Sequence, residues 1–493
     1  MNDAIKTNKS EEEVRLDKLK KLQDLGLDAY PARIKRSHSI EDVLVHFDDL
    51  EKKGDHVHIA GRLKSKRGHG GSTFANLADG TGQMQIYLKK DEVGDKQFDL
   101  FNELIDIGDF IEASGTLFFT KKGQPTLLVR EFKLAGKTLL PLPEKWHGLS
   151  DVEIRYRQRY LDLLANDEVK SIFKTRAAVV RYLREFFDRL GFLEVATPIL
   201  QPLYGGASAS PFKTHHNALN TDLYLRIAPE LYLKRLIVGG LDKVYEVAKC
   251  FRNEGIDREH NPEFTQIEFY QAWSDYNDLM NLTEELFVYI LDKIKGSLEI
   301  EYEGKKINFT PPFKRVSFRD LLLHEAEFDI EVYTDDEALA REAGSRGVKV
   351  EKNWGRGKIL DEVYKELVRP KLAGPLFLID HPVELSPLAK KKPDDPRYVE
   401  RFQLIIAGRE ICNAFSELND PQDQEARFVE QEGLKAKGDS EAQRLDEDYI
   451  TALKHGLPPT AGWGMGVDRL VAILTGSHNL KEVILFPTLK PKN

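Results

Sequence analysis

The chain has 493 residues, of which 41% are hydrophobic and 31% are charged, and its formal net charge at pH 7 is −9. A chain of this size can form two or three domains. Its negative charge excludes RNA binding through overall charge, so an RNA partner would need local basic patches. The two cysteines, Cys250 and Cys412, exclude a disulfide framework and lack metal-ligand spacing, which favours a reducing compartment. Neither a secretory signal pattern nor an apolar run that could span a membrane is present, which predicts a cytoplasmic protein without a membrane partner.

The first 55 residues predict a helical extension on the surface. Leucines recur at helical spacing among alternating acidic and basic residues, at Leu16, Leu19, Leu22 and Leu25. Gly26 follows as a stop signal.

Residues 56–140 predict a five-stranded β-barrel of the OB type. Short apolar runs separated by turn residues predict strands over 57–63, 73–77, 83–88, 110–117 and 126–134. A linker rich in Pro and Gly is predicted over 141–150, and helices and strands mix from residue 151 to the end.

The barrel carries features of a surface that binds single-stranded RNA. Four basic residues crowd its first strand, namely Arg62, Lys64, Lys66 and Arg67. Phe74 follows on the second strand, and an aromatic ring beside a basic strand is how OB folds stack unpaired bases. The barrel alone leaves another interpretation equally open, in which Phe74 belongs to the core and the basic run is a solvated edge.

The segment 244–270 predicts a strand, a polar loop and a second strand. By the two-residue period of a strand, four side chains share one face after the loop, namely Phe264, Gln266, Glu268 and Tyr270. Glu268 lies between Ile267 and Phe269, so we expect it to be partly buried and to need a cationic partner.

Two later segments predict further parts of the same site. Residues 461–474 predict a Gly-rich strand that leads into an apolar helix with Arg469 in its first turn, and strand glycines mark places where a ligand or another backbone comes close. In the segment 410–420, Asn413, Phe415 and Glu417 share one face by parity, whereas Glu410 has the opposite parity. Two carboxylates and a tyrosine suit an ammonium ion, which has three donors and no acceptor.

These segments carry a family resemblance. Phe-Arg-Asn-Glu-Gly at 251–255 and Gly-x-Gly-x-Gly-x-Asp-Arg at 462–469 resemble motifs 2 and 3 of the class II aminoacyl-tRNA synthetases, in the subgroup specific for aspartate, asparagine and lysine. The span from residue 155 to the end, including 227–234 and 384–389, is similar to the lysyl-tRNA synthetases, and with the barrel the similarity covers nearly the whole chain.

The resemblance implies an α+β fold in which an N-terminal OB barrel precedes a class II antiparallel sheet flanked by helices. The catalytic domain would span 151–493, with motif 1 at about 171–198, motif 2 at about 243–272 and motif 3 at about 461–474. Pattern alone predicts only an amphipathic helix over 169–190, for which packing within its own subunit is the default. The resemblance makes this helix part of a homodimer interface.

The resemblance also implies an activity and the residues that carry it. The chain would join L-lysine to tRNA(Lys), with ATP as a substrate and Mg²⁺ as a cofactor. Arg252 and Arg469 would be catalytic. Arg252 would also bind the substrate carboxylate, and Phe264 and Arg469 would enclose adenine. The other nucleotide contacts would be Glu254, His260 and Asn261. The lysine pocket would consist of Gly206 and Glu230 at the α-amino group, Glu268, Tyr270 and Glu417 at the ε-ammonium, and Asn413 and Phe415 along the wall.

The metal and anticodon residues follow from the same resemblance. Glu410 would hold Mg²⁺. Gln403 stands where the family usually has a second carboxylate, which puts its role as a metal ligand and the number of ions in question. Ser210 replaces a usual Arg or Lys. The anticodon would contact Arg67, Phe74, Gln85 and Glu131.

Three alternatives stay open on the sequence. A lysyl-transferase that modifies a protein would lack the barrel. An aspartyl or asparaginyl enzyme would not place Glu268 and Glu417 in its pocket. A catalytically impaired homologue is opposed by the presence of Arg252, Phe264, Glu410 and Arg469, although Gln403 leaves it open.

Overall fold

A computed structural model describes residues 9–142, 149–351, 354–436 and 444–491, although side chains 434–436 are outside this description. The chain divides into two compact units, which are residues 1–150 and 151–493. Residues 1–8 of the predicted helical extension and residues 143–148 of the predicted linker lie outside the described residues. Within the described part of the chain, no helix has the length and apolar content needed to cross a membrane.

The described residues of the first unit form a β-barrel and five helices. Its helices are α1 (Glu11–Asp24), α2 (Ile40–Val45), α3 (Phe47–Lys53), α4 (Lys90–Val93) and α5 (Asp95–Leu104). Its strands are β1 (Val57–His69), β2 (Ser72–Ala78), β3 (Gln83–Lys89), β4 (Phe110–Phe119) and β5 (Pro125–Gly136). The strands close in the order β1-β2-β3-β5-β4, and only β3 and β5 pair in parallel. The predicted OB-type barrel is confirmed, and the strands extend beyond the predicted bounds.

Local sequence explains the first helix only in part. Ser10 and Glu13 form a capping box at the start of α1, and Gly26 after its end has a φ of +71°, which glycine adopts without steric cost. Leu22 is buried in the barrel core, but Leu16 and Leu25 are exposed. The helix predicted in this region is present, and its buried residues are Arg15 and Leu22.

The second unit contains a large sheet and most of the helices. Its elements are α6 (Val152–Arg157), α7 (Arg159–Ala165), α8 (Asp167–Arg189), β6 (Leu193–Glu194), β7 (Leu200–Gln201), β8 (Lys213–His216), β9 (Thr221–Leu225), α9 (Glu230–Val238), β10 (Lys243–Phe251), β11 (Glu263–Ala272), α10 (Tyr276–Lys295), β12 (Glu299–Tyr302), β13 (Lys305–Asn308), β14 (Lys314–Ser317), α11 (Phe318–Ala326), α12 (Asp336–Ser345), α13 (Arg356–Val363), β15 (Leu376–Pro382), β16 (Tyr398–Ile406), β17 (Arg409–Ser416), α14 (Pro421–Ala436), α15 (Glu447–Lys454), β18 (Thr460–Gly466), α16 (Val467–Thr475) and α17 (Leu480–Val483).

The eight-stranded sheet of this unit has the order β14-β15-β16-β17-β18-β11-β10-β6, and only its outermost pairs, β14–β15 and β10–β6, are parallel. One face packs against α8, α10 and α16 in a core that includes Phe187, Phe269 and Trp463. Because strand side chains alternate, Glu268 and Tyr270 point to the other face. The predicted α+β class with an antiparallel catalytic sheet is confirmed.

Candidate active site

The centre of the site is the Gly-rich strand β18, which lies between β11 and β17. Gly464 pairs with Glu268 on one side and Asn413 on the other, and Gly462 pairs with Tyr270 and Phe415 in the same way. A Cβ atom at Gly462 would overlap Glu417 Oε1 and Tyr270 Cε1. The glycines therefore provide a flat floor over which side chains from both neighbouring strands converge.

Three buried carboxylates surround this floor, from Glu230, Glu268 and Glu417. Glu268 accepts hydrogen bonds from Gln266 Nε2 at 2.6 Å and from Tyr270 Oη at 3.1 Å. Gly206, with a φ of +84°, lies against Glu230, since a Cβ atom there would be 2.8 Å from Glu230 Cβ. The sequence-predicted pocket residues Gly206, Glu230, Glu268, Tyr270 and Glu417 are thus brought together.

Lys234, on the helix that Glu230 begins, pairs with two of these carboxylates but not with Glu268, whose predicted cationic partner is absent among the described residues. Its ammonium donates to Glu230 at 2.6 Å and forms an ion pair with Glu417, and it lies 5.3 Å from the centre of the Phe415 ring. Burial alone would lower the pKa of Lys234, but the charges of Glu230 and Glu417 outweigh burial and raise it. Sequence reasoning missed Lys234, although its position four residues after Glu230 on a helix was a usable signal.

The electrostatics of the pocket favour a cationic ligand. Burial and, to a smaller extent, the nearby charge of Glu230 raise the pKa of Glu268 to about 8. Burial also raises the pKa of Glu417, against the opposing effect of Lys234. A ligand that brings its own ammonium group would stabilise the ionised form of these carboxylates.

Arg252 and Arg469 lie at the other end of the site. The Arg252 guanidinium is 5.1 Å from the centre of the Phe264 ring, and its Nε is buried without a hydrogen bond in the described part of the chain. Arg469 donates from Nη1 to the carbonyl of Glu410 at 2.8 Å. Burial lowers the pKa of Arg469, and the positive charge of Arg252 adds to this effect while Glu410 opposes it. Two guanidinium groups near one another suit an anion with several charges.

The loop between β10 and β11 holds the other predicted nucleotide residues. His260 is exposed and its Nδ1 lies 2.8 Å from Asp257 Oδ2, and Glu254 is half-buried. Asn261 is buried and donates to the carbonyl of Glu263 at 2.6 Å, while its Oδ1 has no partner among the described residues. The backbone N–H of Asn253 donates to the backbone carbonyl of Ser210 at 2.8 Å, so in this contact position 210 supports the loop through its backbone and not through its side chain.

A β-bulge explains how Glu410 enters the site. Leu404 pairs with Cys412 and Ile405 pairs with Glu410, so Ile411 is an extra residue in β17. The bulge shifts the alternation by one residue and turns Glu410 to the face of Asn413, where Gln403 Nε2 donates to Glu410 Oε2 at 2.9 Å. Simple parity, which excluded Glu410 from this face, is wrong here.

Glu410 is the carboxylate in this region that the sequence predicted as a metal ligand. Among the described residues, no group of three or more His, Cys, Asp or Glu side chains could hold a metal ion. Mg²⁺ commonly binds through one or two carboxylates together with phosphate oxygens and water, and Glu410 fits such a site.

Comparisons with known proteins assign the family. The tRNA synthetases class II (D, K and N) match residues 151–490, and the OB-fold nucleic acid binding domain matches residues 57–135. The chain belongs to the class II tRNA synthetases. Its curated relatives in this family include proteins from Syntrophomonas wolfei (49% identical over 97% of both chains), Pelotomaculum thermopropionicum (49% identical over 100% of this chain and 98% of the relative) and Roseiflexus castenholzii (50% identical over 97% and 98%). Each of these class II synthetases is named lysine–tRNA ligase.

The OB unit of this class II synthetase presents an aromatic pair on its outer surface. Phe74 is 36% exposed and stacks on Tyr87, with ring centres 4.3 Å apart. Arg67 is the cross-strand partner of Phe74 and is exposed, and Gln85, one strand further, accepts from Thr126 at 2.9 Å. Glu131 is also exposed. The interpretation of Phe74 as a core residue is wrong, and Tyr87 is a surface aromatic that sequence reasoning missed.

Two of the basic residues on β1 donate hydrogen bonds within the OB unit. Lys66 donates to three carbonyls at the end of α5, those of Phe101, Asn102 and Ile105, at 2.7–3.1 Å. Arg62 donates to the carbonyl of Gly108 at 3.0 Å and lies over the Phe110 ring. The predicted basic patch on this strand is therefore smaller than the sequence indicates.

Proposed function

We propose that the chain activates L-lysine with ATP to form lysyl-adenylate and pyrophosphate, and then transfers lysine to the 3′ end of tRNA(Lys), as a lysine–tRNA ligase does. The observation that carries this proposal is the convergence of Glu230, Glu268 and Glu417 on the floor of β18, where Lys234 pairs with Glu230 and Glu417 and Glu268 is left without an ion pair among the described residues.

Charge balance favours lysine as the amino acid. With all three carboxylates ionised, as ammonium binding favours, the single Lys234 ammonium leaves two negative charges, and a lysine substrate brings two ammonium groups. Its carboxylate would meet Arg252, so that the filled pocket is neutral. An aspartate substrate would add a carboxylate to the same place, which Coulomb repulsion opposes.

The residues act mainly by positioning and by neutralising charge. A lysine carboxylate oxygen attacks the α-phosphorus of ATP, the bond from that phosphorus to the bridging oxygen breaks, and pyrophosphate leaves. The nucleophile is already an anion, so no general base is needed. Arg252 would bind the α-phosphate and Arg469 the adenine ring and γ-phosphate, while Phe264 would stack on the other face of adenine. Glu254, His260 and Asn261 would complete the nucleotide site.

Mg²⁺, when bound, neutralises charge on the phosphates, and Glu410 is the carboxylate that would hold it. In the second step the 3′-hydroxyl of the tRNA attacks the adenylate carbonyl and AMP leaves. The OB unit would recognise the anticodon, with Phe74 stacking on a base and Gln85 and Glu131 contacting base edges.

We also infer a homodimer through α8. The outer surface of this helix forms a groove of about 790 Å³ whose lining includes Phe173, Val180 and Leu485. Nearby Leu193 and Phe486 are exposed. A second copy of the chain would cover this apolar surface, and sedimentation equilibrium should give twice the mass of the chain.

Pyrophosphate exchange with a panel of amino acids tests the activation step. We expect exchange with lysine and not with aspartate or asparagine at equal concentration. Exchange that prefers another amino acid would contradict the assignment of the pocket, and absence of all exchange would favour a catalytically impaired homologue.

A further inference from the structure

Glu410 has a neutral neighbour that is buried with it. Gln403 on β16 is 9% exposed and is the cross-strand partner of Asn413. Its Nε2 donates to Glu410 Oε2 at 2.9 Å, while Arg469 donates to the backbone carbonyl of Glu410. One carboxylate oxygen of Glu410 is thus engaged by Gln403, and the other remains for a cation.

The chemistry of the two groups fixes the orientation of the amide. A carboxylate accepts hydrogen bonds and cannot donate them, so the NH₂ end of Gln403 must face Glu410. Mg²⁺ binds oxygen and not an amide nitrogen. In this orientation Gln403 places two N–H groups, and not its oxygen, on the Glu410 side.

A buried histidine lies behind the amide. The His381 ring is 2% exposed, packs 5.4 Å from the Phe318 ring, and faces the side chain of Gln403 and the backbone of Arg401. Neither ring nitrogen has a hydrogen bond with good geometry in the described part of the chain. Because a buried ring N–H needs an acceptor, and the amide nitrogen of Gln403 is engaged by Glu410, the amide oxygen of Gln403 is the acceptor that this side chain can offer to His381.

We propose that Gln403 is a positioning residue that donates a hydrogen bond to Glu410 and does not bind Mg²⁺, so that the site holds one divalent ion fewer than it would with glutamate at position 403. This inference rests on the proposed ATP site. Gln403 positions the carboxylate of Glu410, and its neutral amide adds no charged ligand for a further ion. Among the described residues, no group of three or more His, Cys, Asp or Glu side chains could hold such an ion.

The test counts Mn²⁺, a paramagnetic substitute for Mg²⁺, bound per protomer of full-length protein. Free Mn²⁺ is measured by electron paramagnetic resonance in the presence of lysine and an ATP analogue with a methylene group between the α- and β-phosphates. The variants are Gln403→Glu, Gln403→Leu and Gln422→Glu, which adds the same charge on the exposed surface of α14. Thermal unfolding checks that each variant is folded.

We expect Gln403→Glu to bind one Mn²⁺ more than the wild type, and Gln422→Glu to bind the same number. Gln403→Leu should also bind the wild-type number, with a dissociation constant raised about fivefold because the hydrogen bond that positions Glu410 is lost. An ion lost in Gln403→Leu would show that the amide is a ligand, and no gained ion in Gln403→Glu would show that position 403 does not face the metal. Either result overturns the inference. A wild type that does not bind the analogue would instead contradict the proposed function, and the inference with it.

Discussion

Gly462→Ala should selectively damage lysine recognition. The added Cβ would overlap Glu417 Oε1 and Tyr270 Cε1 and would lie 2.8 Å from Tyr270 Cδ1. Gly462 does not have a positive φ, so alanine meets no backbone strain. To reach ordinary contact distance, the two side chains must move by more than about 1 Å.

The size of the effect follows from that displacement. A hydrogen bond from the substrate ammonium to Glu417 would stretch beyond the usual limit of about 3.2 Å. Loss of a hydrogen bond to a charged group costs about 1.5–3 kcal/mol. We therefore expect kcat/KM for lysine to fall between about 10-fold and 150-fold.

Lysine-dependent pyrophosphate exchange at saturating ATP measures this loss, and the KM for ATP should stay within about twofold of the wild type. Gly466→Ala is the matched control on the same strand, because its Cβ would lie 3.6 Å from Arg469 Cδ in ordinary contact. An unchanged KM for lysine in folded Gly462→Ala, or equal losses for lysine and ATP, would refute the argument that Gly462 forms the pocket floor.

Three further predictions concern charge, RNA binding and stability. Glu268→Gln should fold but lose lysine-dependent exchange. Because the pKa of Glu268 is raised to about 8, the ionised fraction of this carboxylate grows with pH, and the wild-type KM for lysine should fall about fivefold from pH 7 to pH 8. A KM that does not change with pH would contradict this prediction. Phe74→Ala should weaken tRNA charging by about 1–3 kcal/mol and leave lysine activation intact, and equal damage to both steps would be evidence against base stacking. Lys66→Met should lower the free energy of unfolding by about 1–3 kcal/mol, because three carbonyls lose their hydrogen-bond donor. Denaturant titration measures this loss, and the control Lys122→Met, on an exposed turn, should leave the free energy of unfolding unchanged. Since burial lowers the pKa of Lys66 from 10.5 to about 8, the folded state binds fewer protons between these values, and stability should rise with pH across that window.

The sequence predicted the elements whose patterns are local. Alternation placed Glu268 and Tyr270 opposite Ile267 and Phe269, and the structure shows the same division between pocket and core. The five barrel strands were predicted for the same reason. Helices α4 and α5, between the third and fourth strands, were not predicted, because their short apolar pattern is weak beside the turn signals around it.

The rest depended on tertiary contacts that no local pattern shows. The bulge at Ile411 reverses the parity of Glu410, and nothing in the sequence of β17 marks it. Strand alternation places Lys66 on the outer face of β1 with two other basic residues. Its ammonium nevertheless donates hydrogen bonds to three carbonyls at the end of α5, within the unit. The spacing of Lys234 from Glu230 indicates their ion pair, but the second partner, Glu417, comes from nearly two hundred residues away and only the fold brings it to Lys234.

Charging of unfractionated tRNA by the full-length protein tests the central claim most directly. With ATP and Mg²⁺ present, radiolabelled lysine, aspartate and asparagine are supplied separately, and the acid-precipitable label is measured with and without the tRNA. We predict that lysine alone is transferred, that transfer requires tRNA, and that the charged fraction is tRNA(Lys). Transfer of aspartate or asparagine in preference to lysine, or attachment of lysine to protein in place of tRNA, would contradict the account.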